Sequence, residues 1–139
     1  MIDVNVRGFA AMSLTSMNYF TQRGAGHLVG LSSCAAHFSA GVTPTYNATK
    51  AFASNYLNGL RSRAVRSKLP ITVTTIEPGF VETPMVEGKP MWLAPLEKAV
   101  AQMVTGIEKG RDHIFITRRW RLVALLLDIM PNRLIRKLM

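Results

Sequence analysis

Apolar positions along the chain follow two different periods. From about Val4 to Gln22 they recur at helical spacing through Phe9, Met12, Met17 and Phe20. No proline interrupts this stretch, and Gly24 and Gly26 close it, which predicts a first helix. The run "HLVGLSS" (27–33) is short and largely apolar, as expected of a buried parallel strand. Thr43 and Pro44 then supply a cap residue and a proline suited to a first helical position. The helix they open runs through Tyr46, Phe52, Tyr56, Leu57 and Leu60 to about Arg66. "ITVTTIEPG" is a β-branched strand closed by Pro78 and Gly79. Residues 80–95 predict a long loop, "PLEKAVAQMVTGIEKG" (95–110) an amphipathic helix ended by Gly110, and "HIFIT" (113–117) a third strand. The remainder, "RRWRLVALLLDIMPNRLIRKLM", predicts a helical tail broken near Pro131. Strands that alternate with helices imply a parallel α/β sheet joined by right-handed crossovers.

Composition narrows the classes. The chain has 139 residues, 48% of them hydrophobic and 18% charged, which suits one globular domain and excludes a disordered chain. A single cysteine, Cys34, cannot form an internal disulfide, and no Cys/His cluster has metal-ligand spacing. No metal site is expected, and a reducing, cytoplasmic location fits. No stretch reaches the roughly 20 apolar residues needed to cross a bilayer. Asp3 stands where a signal peptide would carry basic residues, so the N-terminus reads as mature structure.

Charge adds one feature. Of the net +9, residues 110–139 hold seven Lys/Arg against two Asp/Glu. Six apolar residues from Leu122 to Leu127 follow Arg118, Arg119 and Arg121, with Trp120 at the boundary. The pattern suits a helix lying on an anionic membrane surface, and equally a helix packed on the domain or a dimer partner. Nucleic acid is not an expected partner, because the arginines alternate with aliphatic rather than stacking aromatic side chains.

Candidate chemistry lies where three segments converge. In "TYNATK" (45–50), Tyr46 and Lys50 stand four residues apart and share one helix face. Ser33 lies at the C-terminal end of a predicted parallel strand, where open α/β sheets place their ligands. Tyr46 begins the next helix and Pro78-Gly79 ends the next strand, so all three reach one crevice.

Those residues carry a resemblance. "DVNVRG" (3–8), "GHLVGLSS" (26–33), Ser33 thirteen residues before Tyr46-Asn-Ala-Thr-Lys50, and "IEPGFVETPM" (76–85) resemble the C-terminal half of the short-chain dehydrogenase/reductase family. The resemblance covers about residues 1–85. It implies a partial doubly wound Rossmann-type α/β fold over residues 1–117, about three parallel strands with flanking helices, followed by the basic tail, 118–139.

By the same resemblance, Tyr46 is the proton donor to a substrate carbonyl or the base in the reverse oxidation. Ser33 hydrogen-bonds the reacting oxygen. Lys50 favours the phenolate and binds the nicotinamide ribose, and Asn5 extends a proton relay toward Lys50. Pro78, Gly79, Val81 and Thr83 line the nicotinamide side of an NAD or NADP cofactor, which Tyr46 and Lys50 also contact. Met85, Met91, Trp92 and Leu93 fall in the loop that closes over substrate, and their character implies a small apolar carbonyl or alcohol.

The chemistry is physically sound. A free tyrosine titrates near pH 10, and bringing it to about 7 requires roughly 4 kcal/mol of phenolate stabilisation. One ammonium about 4 Å away, at an effective dielectric of about 20, supplies a term of that order. Plainer roles are open as well. Asn5 could be a helix cap, Ser33 a turn residue, Pro78-Gly79 an ordinary turn, Cys34 a pocket wall, and 85–93 a lid packed on itself. His27 and His37 have no partner pattern in the sequence.

The family's Gly-rich phosphate turn, TGxxxGxG, does not occur in this sequence. Family members carry roughly a hundred further residues of the doubly wound sheet before this segment. The chain alone is therefore expected to bind NAD(P)H weakly or not at all, with the strand at 28–33 left at an open edge. Two readings follow. One is an NAD(P)-dependent oxidoreductase of which this chain is one piece. The other is a non-catalytic remnant that acts as a dimerisation or membrane-surface module, pairing through helices 4–22 and 44–66 or through the tail.

Overall fold

A computed structural model describes residues 1–139 apart from 40, 87, 89, 132 and 136–139. A π-helical turn, Asp3–Gly8, leads into helix α1 (Phe9–Arg23), which ends at Gly24 in the left-handed conformation. Strand β1 (Gly26–Leu31) follows, then a 3-10 turn (Cys34–His37) and helix α2 (Pro44–Ser67). Strand β2 (Ile71–Pro78), helix α3 (Leu96–Glu108), strand β3 (His113–Ile116) and helix α4 (Trp120–Ile129) complete the order. The sheet is parallel with order β1-β2-β3, pairing Gly26 with Ile71 and Thr75 with His113 at the starts of the two ladders. The expected three-strand α/β arrangement is therefore present.

The side-chain alternation of β2 explains the layering. Ile71 and Val73 point to one face and pack with Met17, Leu57, Leu60 and Ala64 of α1 and α2. Ile76, on the opposite parity, packs with Ala99 of α3 and with Ile114 and Ile116 of β3. Burial on both faces makes β2 read as an unbroken β-branched run rather than an alternating one. Among the described residues β1, like β3, has a neighbour on one side only, and Val29 and Leu31 of β1 are 39% and 53% exposed.

Three local expectations change. Thr43 precedes Pro44 at the start of α2 but makes no side-chain capping bond; its hydroxyl donates to Asn47 Oδ1 at 2.9 Å. Strand β1 stops at Leu31, so Ser33 is not a strand residue. It is the cap of the 3-10 turn, its Oγ accepting from Ala35 N–H at 3.1 Å. Trp120 is not a boundary residue at a surface but is buried, 7% exposed. Its indole lies where a Cβ on residue 79 would fall, so only glycine at that position lets α4 seat on the β2 exit. The end of the tail, 136–139, lies outside the described residues.

Candidate active site

The exits of β1 and β2 bring Ser33, Lys50 and Pro78 together. Ser33 Oγ donates to the Pro78 carbonyl at 3.3 Å, joining the turn after β1 to the end of β2. On α2, Lys50 Nζ lies 5.6 Å from the Tyr46 ring centroid and donates to the Leu31 carbonyl at 3.4 Å. One helical turn on a shared face thus holds the ammonium beside the phenol. Burial pushes the Lys50 pKa down, because losing water disfavours the charged ammonium.

Asn5 occupies the π-helical turn rather than a cap. Its Nδ2 donates to Thr49 Oγ1 at 3.2 Å, and Thr49 donates to the Tyr46 carbonyl at 2.8 Å. The turn is thereby tied to α2 one residue from Lys50. Asn5 and Lys50 also line the same cavity of about 680 Å3, whose apolar walls include Phe9, Met12, Leu28 and Leu31. This cavity runs along the open edge of β1.

The remaining expected residues separate into groups. Val81 is buried and bridges to Ala94, closing the 80–95 loop at its base. Thr83 is half-buried, and Met85 and Met91 are exposed at 83% and 64%. Trp92, at φ +65°, stacks edge-on against Trp120 at 5.6 Å and under Arg119 at 5.0 Å. Leu93 is half-buried beside it. The loop therefore packs partly on the tail.

A second polar network lies beneath the serine turn. The Glu77 carboxylate is fully buried and accepts from Ser54 Oγ at 2.6 Å and from His37 Nε2 at 2.9 Å. His37 Nδ1 in turn donates to Asp128 of α4 at 3.0 Å. Hydrogen bonding to Glu77 raises the His37 pKa, burial opposes it, and Asp128 adds to the rise, leaving it at about 9. Burial pushes Glu77 toward its neutral form, but the His37 and Ser54 hydrogen bonds hold its carboxyl below the usual range. Ser32 Oγ donates to the Lys50 carbonyl at 2.8 Å, so the same turn is pinned to α2 beside the candidate lysine. Buried Asn47 adds two bonds, to the Ala35 and Phe38 carbonyls at 3.1 and 2.8 Å.

None of these supporting partners followed from spacing. The one legible signal was Glu77, an acid within a β-branched buried strand, which demands nearby hydrogen-bond donors. His37 and Asp128, its direct and indirect partners, lie 40 residues before it and 51 after it.

A parallel sheet with a serine, a tyrosine–lysine helix face and a Pro-Gly strand exit at one end defines a doubly wound α/β protein. The sequence profile of the short chain dehydrogenase family matches residues 1–94, and the chain belongs to that family. An oxidoreductase of Myxococcus xanthus is 31% identical over 137 residues, covering 96% of this chain and 53% of its own length. One of Mycobacterium tuberculosis is 30% identical over 140 positions, 98% and 54% of the respective lengths. A short chain dehydrogenase of Burkholderia cenocepacia, solved with NADP, superposes with a TM-score of 0.80 at 20% identity. It covers 99% of this chain and 57% of its own. One from Sphingobium yanoikuyae, solved with NADPH, gives 0.74 at 20% identity, with coverages of 94% and 56%. The chain spans about half the length of these curated relatives.

Proposed function

We propose that this chain supplies the proton-transfer half of an NAD(P)-dependent oxidoreductase that reduces a carbonyl or oxidises a secondary alcohol. The observation that carries the reading is the junction of Ser33 with Pro78 at 3.3 Å beside a helix that stacks Lys50 on Tyr46. Tyr46 gives the proton to the substrate oxygen. Lys50, held by the Leu31 carbonyl, favours the phenolate left behind. Ser33 exchanges the Pro78 carbonyl for the substrate oxygen by rotating its hydroxyl, and so orients that oxygen as charge develops. Asn5 acts through Thr49 on the helix that carries Lys50, as a positioning residue.

The residues fit one end of a nicotinamide nucleotide. Among the described residues Lys50 donates to one carbonyl only, and Pro78, Gly79, Val81 and Thr83 form the adjoining strand exit and loop. When bound, the cofactor supplies or accepts the hydride. Among the described residues no glycine-rich turn precedes a helix N-terminus after a strand, so the pyrophosphate end has no cradle here. Either NAD or NADP is compatible with this half. The substrate is a small apolar carbonyl or alcohol bordered by Met85, Met91, Trp92 and Leu93.

The open β1 edge favours a second reading, a non-catalytic module that pairs through α1 and α2, where Met12, Leu14 and Tyr19 are exposed. The test mixes the chain with a polypeptide carrying a family phosphate-binding half and follows NADPH oxidation with a ketone panel. The oxidoreductase reading expects turnover in the mixture that falls about 100- to 10,000-fold for Tyr46→Phe, with weak NADPH binding by the chain alone. Equal turnover for Tyr46→Phe, or none with the parent mixture, rejects it in favour of the module.

A further inference from the structure

Helix α4 has two apolar faces, and the fold uses one. Trp120 and Ala124 are buried against the domain, and Asp128 on the same side is held by His37. The opposite face carries Leu122, Leu125, Leu126 and Ile129 at positions i, i+3, i+4 and i+7. These four are 70%, 60%, 56% and 74% exposed. Single exposed leucines are ordinary on a protein surface; four on one stripe of a ten-residue helix are not. Exposed Arg118 and Arg121 stand at the N-terminal end of the stripe, and exposed Arg133 lies beyond its C-terminal end. The only acid within α4, Asp128, is engaged by His37.

We propose that α4 seats the chain on an anionic lipid surface. The leucine stripe enters the boundary between headgroups and acyl chains while the flanking arginines meet the phosphates. The charge pattern decides against a second copy of the chain. Helices paired about a two-fold axis bring Arg118 and Arg121 of one copy toward Arg133 of the other, with Asp128 already engaged. The stripe is also small: a helix of this length extends only about 15 Å, and a stable dimer buries about 1,200 Å2 or more. A polypeptide pairing with the β1 edge does not cover it either, because that edge lies across the sheet from β3, against which α4 packs together with the 3-10 turn. The lipid reading does not rest on the oxidoreductase reading.

The experiment is co-sedimentation of the full chain with phosphatidylcholine vesicles and with vesicles that also contain phosphatidylglycerol, at low and high salt. Partitioning roughly tenfold stronger onto the anionic vesicles, and weaker in high salt, is expected. A variant with Leu122, Leu125, Leu126 and Ile129 all changed to Gln loses binding to both vesicle types. Its near-ultraviolet circular dichroism stays unchanged, because these side chains do not pack in the fold. Arg118→Gln with Arg121→Gln loses only the anionic preference. Equal pelleting of the Gln variant and the parent overturns the proposal, as does absence of lipid binding by the parent. A parent that is dimeric by light scattering, made monomeric by the Gln variant and indifferent to vesicles, assigns the stripe to a copy of the chain instead.

Discussion

Replacing His37 with asparagine removes a cation that holds three elements together. Both imidazole nitrogens donate, Nε2 to buried Glu77 and Nδ1 to Asp128, and only the imidazolium can do both. The rise from 6.5 to about 9 is due first to the Glu77 hydrogen bond, against burial and with help from Asp128. At 1.36 kcal/mol per unit this corresponds to about 3 kcal/mol of stabilisation. The His37 side chain is 17% exposed, so solvent screens the Glu77 contact little; Asp128, 54% exposed, contributes the smaller share. Because the folded pKa is the higher one, this stabilisation is complete below about pH 6.5 and is lost as pH rises through about 9.

Other groups around Glu77 have different signs. Glu77 itself, held below 4.5, contributes above that pH and loses its contribution in acid. Burial lowers the pKa of His113, which also faces Glu77 and Arg61, so its charging in acid opposes folding. Lys50, lowered by burial, favours folding as pH rises through its own range and partly masks the alkaline loss. The difference between parent and His37→Asn therefore reports the imidazole together with its coupling to Glu77, and cancels Lys50. Urea unfolding followed by fluorescence of Trp92 and Trp120 should give a difference of about 3 kcal/mol near pH 6, shrinking toward zero above about pH 9.5. A difference independent of pH, or a variant as stable as the parent near pH 6, refutes the reasoning.

Two further outcomes test the packing. Leu57, fully buried between α2 and β1, should cost about 2–5 kcal/mol on truncation to alanine. A Cβ on Gly30 would meet the Leu57 methyl groups, so Gly30→Ala should cost about 1–3 kcal/mol alone and distinctly less in the Leu57→Ala background, measured by a double-mutant cycle. Burial, aided by the Glu77 charge, pushes the Cys34 thiol pKa up, so its reaction with a disulfide reagent near pH 8 should wait for denaturant. Labelling of the native chain at the rate of a free thiol would show that the turn after β1 opens.

Much of the fold was legible because its signals are local. The β-branched run 71–78, the proline opening α2 and the left-handed glycine ending α1 each determine an element within a few residues. Ser33, Tyr46 and Lys50 were legible as a motif, since one helical turn sets the Tyr46–Lys50 relation. Trp92, which the sequence places in the substrate loop, packs edge-on against Trp120 of the tail. No local pattern distinguishes a tryptophan in a lid from one that anchors a helix.

The strand–helix order, the parallel sheet and the candidate acid–base residues are readable from the sequence, because periodicity and side-chain chemistry act over short spans. The folded arrangement, by contrast, makes Ser33 a turn cap held by Pro78 rather than a strand residue. It also makes His37 a bridging cation between Glu77 and Asp128, which lie 51 residues apart in the chain. The two apolar faces of α4 became distinguishable only once Trp120 had settled over Gly79 and left the leucine stripe outside. The physical reason is common to all three. Burial and charge pairing depend on which segments the fold brings into contact, and that information is not carried by any one segment.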